Sequence, residues 1–130
     1  METVAAASER ILVVDDDAVT RRFLGGLLAG SGYEVHEAED GEAALRAVAS
    51  VQPRLVLLDL VLPLKDGYEV LGALKRDPAT ARIPVVILSL RDREEDVVKG
   101  LTLGAEDYMI KPFSTRELLL RIRKILDRTW

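Results

Sequence analysis

The chain has 130 residues, 48% of them hydrophobic, and a formal net charge of −4. That length suits a single domain around one core, and the absence of cysteine excludes disulfides, thiolate metal sites and cysteine nucleophiles. No apolar run approaches the ~20 residues of a bilayer span, the start lacks the basic and apolar regions of a secretory signal, and the negative charge disfavours a duplex nucleic-acid surface.

The expectation is therefore a cytoplasmic chain with no membrane partner and no direct nucleic-acid contact. Residues 1–9 are small and polar and read as a flexible tail; one domain is expected over 10–128, with 129–130 as its C-terminal end. Short β-branched or aliphatic runs at 11–14, 33–36, 55–58, 85–88 and, more weakly, 108–110 predict five strands. Longer stretches between them carry helical spacing. Phe23, Leu24, Leu27 and Leu28 predict one buried face; Ala44, Leu45 and Val48 a second; Val70, Leu71 and Leu74 a third; Leu118, Leu119, Ile122 and Ile125 the last. Asp40 stands before one helix, while Asp92 and Ser114 each precede a glutamate by three positions, the spacing of a capping box. Gly30-Ser31-Gly32, Asp77-Pro78 and Gly104 interrupt the helices.

Strand and helix thus alternate five times. The first, third and fourth strands are apolar without alternation, as parallel strands covered on both faces must be. The expected fold is α/β, a five-stranded, doubly wound parallel sheet with helices on both faces. In such a sheet functional groups gather beyond the carboxyl ends of the strands.

Asp15, Asp16 and Asp17 follow the first strand, Asp59 the third, Ser89 the fourth and Lys111-Pro112 the fifth; Glu37, after the second, has no evident partner among them. Three carboxylates converging at one edge repel unless a cation sits among them, and a hard divalent ion with oxygen ligands, Mg²⁺ above all, answers that need and bridges phosphate oxygens. Asp59 is then an oxygen nucleophile beside a charge-neutralising metal. Lys111 supplies a compact positive charge for a phosphate oxygen, and Ser89 a hydroxyl donor. In-line phosphoryl transfer needs little beyond this placement. Taken singly, each residue has a plainer reading. Asp17 reads as a helix cap; Asp15 and Asp16 alone read equally well as caps, Ser89 as a turn residue, and the lone His36 as a strand-surface residue.

The segments Ile11-Leu12-Val13-Val14-Asp15-Asp16-Asp17, Leu57-Leu58-Asp59 through Asp66-Gly67, and Gly104-Ala105-Glu106-Asp107-Tyr108-Met109-Ile110-Lys111-Pro112-Phe113 resemble the signature segments of response-regulator receiver domains, and Ala38 to Leu45 is similar to the family's second-helix entry. The resemblance implies the CheY-like strand order 2-1-3-4-5 and phosphoryl transfer to Asp59 from a sensor histidine kinase or phosphotransfer protein. It implies Mg²⁺ (or Mn²⁺) on Asp16, Asp59 and the Val61 backbone carbonyl, with Asp15 acting mainly through a metal-bound water. Ser89 and Tyr108 match the family's switch pair: the hydroxyl moves to the phosphate and the ring turns into the space it leaves. The Lys111-Pro112 peptide is expected to be cis.

The implied output face comprises the fourth helix, fifth strand and fifth helix. In one branch of the family it forms a phosphorylation-dependent homodimer, which here would pair Asp107 with Arg121 and Glu106 with Arg123. The third pairing, to Glu117, lacks its base: Val97 stands at that position, with Lys99 nearby. These charges read equally well as a solvated helix face. Leu90 stands where the family has a small residue, and Val61 where many relatives are polar, which predicts a shielded acceptor, loaded poorly by small phosphodonors and hydrolysed slowly. The alternative is a phosphorylation-independent interaction module. An aspartate-nucleophile phosphatase would need a substrate cap, and a flavin binder a phosphate loop without three negative charges.

Overall fold

The computed structural model describes residues 9–128. Residues 1–8 of the expected tail, and 129–130, lie outside them. The elements are β1 (Arg10–Val14), α1 (Ala18–Gly30), β2 (Glu34–Ala38), α2 (Gly41–Val51), β3 (Leu55–Leu58), α3 (Gly67–Arg76), β4 (Val85–Ser89), α4 (Glu94–Leu103), β5 (Asp107–Ile110) and α5 (Thr115–Arg128). All strand pairs are parallel, in the order β2-β1-β3-β4-β5. Chain order reverses between β1 and β3, so a crevice opens at their carboxyl ends.

The unbroken apolar strands feed two cores. Leu12, Val14, Val56, Leu58 and Ile87 pack with residues of α2 and α3; Ile11, Val13, Leu55, Leu57, Val86 and Leu88 pack with residues of α1 and α5. Successive side chains of one strand thus enter opposite cores, each fully buried aliphatic group contributing about 1.5–3 kcal/mol. Among the described residues no helix is long and apolar enough to cross a membrane.

Several local expectations are corrected. β2 begins one residue later and ends two later than its apolar run, because its ladder with β1 continues to Val14 and Ala38; Glu37 therefore lies within the strand. Ser89 is the last residue of β4, not the residue after it. Phe23 is exposed although Leu24 and Leu28 are buried. The box expected at Asp92 does not form: α4 starts at Glu94, and Arg93 at its N-cap makes no side-chain capping bond. A full capping box occurs instead at Asp66 and Glu69, opening α3. Glu9, grouped with the tail, accepts from Arg54 at 2.9 Å, and its carbonyl accepts the Glu34 amide.

Candidate phosphoacceptor and metal site

The ladder extends one residue past the strands on the side where the chemistry gathers. Asp15 N–H donates to the Ala38 carbonyl, Asp59 N–H to Val14 and Lys111 N–H to Ser89, at 3.1, 3.0 and 2.8 Å. The backbones of two acids and the lysine are thereby held by the sheet and not by their loops. That rigidity positions the three side chains.

Lys111 Nζ donates to Asp15 Oδ2 at 2.8 Å and to Asp59 Oδ2 at 3.3 Å. The other oxygen of Asp15 accepts the Asp17 amide at 2.9 Å, and that of Asp59 accepts the Val61 amide at 3.3 Å. Asp15 and Asp59 are buried, whereas Asp16 is exposed. One carboxylate oxygen from each of Asp15, Asp16 and Asp59 falls within 4.8 Å of the others. Three acids face one lysine in a cleft of about 320 Å³, whose wall includes Thr20, Val61 and Leu90. An oxygen-only donor set with an uncompensated negative charge fits a hard divalent cation.

Burial pushes the Asp59 carboxyl above its ordinary value; Lys111 opposes the shift and the Asp15 charge adds to it. For Lys111, burial works against the ammonium, but its bonds to Asp15 and the nearby Asp59 charge outweigh burial and raise its pKa. Asp59 and Lys111 thus each feel the other's charge.

Asp17 behaves as a cap, as expected, accepting from the Val19 amide and from Thr20 Oγ1 at 2.6 Å. Glu37 has a partner that the sequence did not reveal. Arg21 binds it at 3.0 Å and also donates to the Asp15 carbonyl at 2.8 Å, bracing the acidic loop. His36 sits on β2, paired with Glu34 at 2.6 Å.

Ser89 is fully buried, and its Oγ accepts the Arg91 amide at 3.1 Å. Tyr108 is buried, its hydroxyl donating to the Arg91 carbonyl at 2.7 Å. The ring fits because α4 carries glycine above it: a Cβ at Gly100 would lie 3.2 Å from Tyr108 Cδ2 and 2.7 Å from Ile87 Cδ1. The Lys111-Pro112 peptide is cis.

On the α4-β5-α5 face, Arg121 binds Asp107 at 2.7 Å and Glu117 at 2.6 Å within the chain. The expected pairing of Glu106 with Arg123 is one between two copies; within one chain each has another partner. Glu106 is bound by Arg128, while Arg123 turns to Glu9, Asp127 and the Tyr33 ring. Seven positions along a helix bring Arg128 back beside Arg121, which places it within reach of Glu106 in the same chain. That spacing is the signal that would have found Arg128. Lys99 sits over the Tyr68 ring at 4.2 Å, on the α3 side of α4.

The model of the response regulator receiver domain family matches residues 11–123. The phosphate regulon transcriptional regulatory protein PhoB of Pseudomonas aeruginosa is 42% identical over 119 residues, covering 92% of this chain and 52% of that protein. The probable transcriptional regulator ycf27 of Porphyridium aerugineum is 44% identical over 120 residues, covering 92% and 49%. The chain therefore spans about half the length of the curated relatives it matches. Among solved structures, the Francisella response regulator 1452 receiver domain superposes with a TM-score of 0.88 at 32% identity, covering 95% of this chain and 100% of that one. A CheY-like receiver domain protein from Methanospirillum hungatei superposes at 0.89 with 29% identity, covering 95% and 97%. The acids at the β1–β3 switch point, the lysine between them and these matches agree: the chain belongs to the response regulator receiver domain family.

Proposed function

We propose that the chain is a phosphoacceptor switch that takes a phosphoryl group on Asp59 from the phosphohistidine of a sensor histidine kinase or phosphotransfer protein in the cytoplasm. The observation that carries this reading is the placement of buried Asp59 beside Lys111 and two further carboxylates at the sheet's switch point. A carboxylate oxygen of Asp59 attacks phosphorus as the P–N bond breaks, and the imidazole leaves with the electron pair and takes a proton from solvent. Lys111 faces one phosphoryl oxygen and Ser89 another. Asp16, Asp59 and the Val61 carbonyl would hold Mg²⁺ (or Mn²⁺), with Asp15 acting through water; the bound ion supplies charge neutralisation at the phosphoryl oxygens.

The Ser89–Tyr108 pair carries the change to the α4-β5-α5 face. Relatives named as transcriptional regulators support an output in transcription, with this domain making no direct nucleic-acid contact. Glu106, Asp107, Glu117, Arg121 and Arg123 are the charges through which that face would form a phosphorylation-dependent homodimer; within one chain Arg121 binds Asp107 and Glu117, and Arg128 binds Glu106.

Incubation with a phosphorylated histidine kinase and Mg²⁺ tests the reading. A base-labile, acid-stable phosphoprotein is expected, abolished by chelation and by Asp59→Asn. An unmodified wild-type chain, or modification that persists in Asp59→Asn, overturns it.

A further inference from the structure

Arg91 is gripped by both switch residues, its amide by Ser89 and its carbonyl by Tyr108. Its side chain makes a third contact, outside that pair, with the guanidinium 5.7 Å from the centre of the Tyr68 ring. Tyr68 is buried in the first turn of α3, and its hydroxyl is shared between the carbonyl and the carboxylate of Asp96 in the first turn of α4, at 3.1 and 3.3 Å. Lys99, one turn further along α4, covers the same ring. One aromatic side chain therefore joins the loop after β4, the start of α4 and α3.

Both ends of this link have local reasons to matter. α4 opens on Arg93 without a side-chain cap, so the link to Tyr68 supplies a tertiary restraint where a local one is missing. Tyr68, for its part, follows Gly67, whose amide donates to the Leu60 carbonyl at 2.8 Å and where an added β-carbon would meet the Asp59 carbonyl oxygen at 2.4 Å. The ring stands on a post fixed to the acceptor itself.

We propose that Tyr68 is a positioning residue of the switch, a strut that ties the β4–α4 loop and the first turn of α4 to the acceptor backbone, so that displacement of Ser89 reaches α4 as one coupled movement. This rests on the reading of Asp59 as acceptor and of Ser89 with Tyr108 as its switch. Tyr68→Phe removes the bonds to Asp96 but keeps the ring under Arg91 and Lys99, whereas Tyr68→Leu removes both.

The test is amide hydrogen exchange with and without beryllofluoride and Mg²⁺, with the fluorine resonance of the bound adduct reporting occupancy of Asp59. In the wild type, beryllofluoride is expected to change exchange in the first turns of α4. In Tyr68→Phe, at equal occupancy, that change should shrink by about threefold or more, the size of one lost hydrogen bond, and in Tyr68→Leu further still. A Tyr68→Phe protein whose α4 responds as strongly as wild type overturns the proposal. So does a uniform rise in exchange that leaves the beryllofluoride-induced ratio intact, because that marks a merely structural role. A wild type that binds no beryllofluoride overturns the acceptor reading, and this one with it.

Discussion

A β-carbon added at Gly67 would lie 2.4 Å from the carbonyl oxygen of Asp59, well inside van der Waals contact, and 2.5 Å from the α-carbon of Leu60. The first residue of α3 is thus packed directly on the backbone that carries the acceptor. The atoms it would meet belong to main chain and cannot turn aside. Gly67→Ala is expected to lower unfolding free energy by about 1–3 kcal/mol, as overpacking does, and to slow loading of Asp59 by moving its carboxylate. Urea unfolding and acetyl phosphate labelling measure the two effects; an unchanged midpoint refutes the close packing.

Asp59 illustrates a site held at the expense of stability. Its carboxyl is raised above 3.8 chiefly by burial, so the folded state binds the proton more tightly than the unfolded chain does. Stability from this group is complete below pH 3.8 and is lost as pH rises from there through the folded value. Asp59→Asn should therefore match the wild type at low pH and become more stable above that window, with a melting temperature higher by about a few degrees near neutrality. Mg²⁺ should stabilise the wild type and act more weakly on Asp59→Asn. Thermal melts across pH, with and without the ion, check both parts.

Leu90 is 73% exposed on the wall of the acceptor cleft, and Val61 is 53% exposed on the same wall. Both apolar side chains line the cleft that holds the Asp59 carboxylate. Leu90→Ala is expected to quicken both labelling by acetyl phosphate and loss of the phosphoryl group, by about threefold or more, as water and small donors gain access. Equal loading and decay rates in the two proteins would refute the shielding.

Tyr108 keeps its buried position only because Gly100 leaves room. Gly100→Ala adds helix propensity worth up to about 1 kcal/mol, but the new methyl group meets Ile87 and Tyr108, and overpacking costs about 1–3 kcal/mol. A net loss of stability and an outward shift of the Tyr108 ring, read from its nuclear magnetic resonance signals, are expected. A stabilised variant with unshifted ring resonances would contradict the packing.

Much of this was legible along the chain. The apolar runs at β1, β3 and β4 had to be central strands because nothing polar interrupts them, and Asp15, Asp59 and Lys111 had to share an edge because each stands immediately after a parallel strand. Strand boundaries were less legible, since β2 extends to Ala38 through backbone pairing with β1, which side-chain character does not record. What only the tertiary structure decided is which charge meets which. Glu37 takes Arg21, Glu106 takes Arg128, and Lys99 takes the Tyr68 ring, each selected by helix phase and by packing between elements distant in sequence. Local pattern determines which way a residue faces; partners across the fold depend on the angle and depth at which helices settle on the sheet. The sequence by itself determined that Asp15, Asp59 and Lys111 meet at one edge, whereas the link from α3 to α4 through Tyr68 emerged only when the two helices were seen side by side.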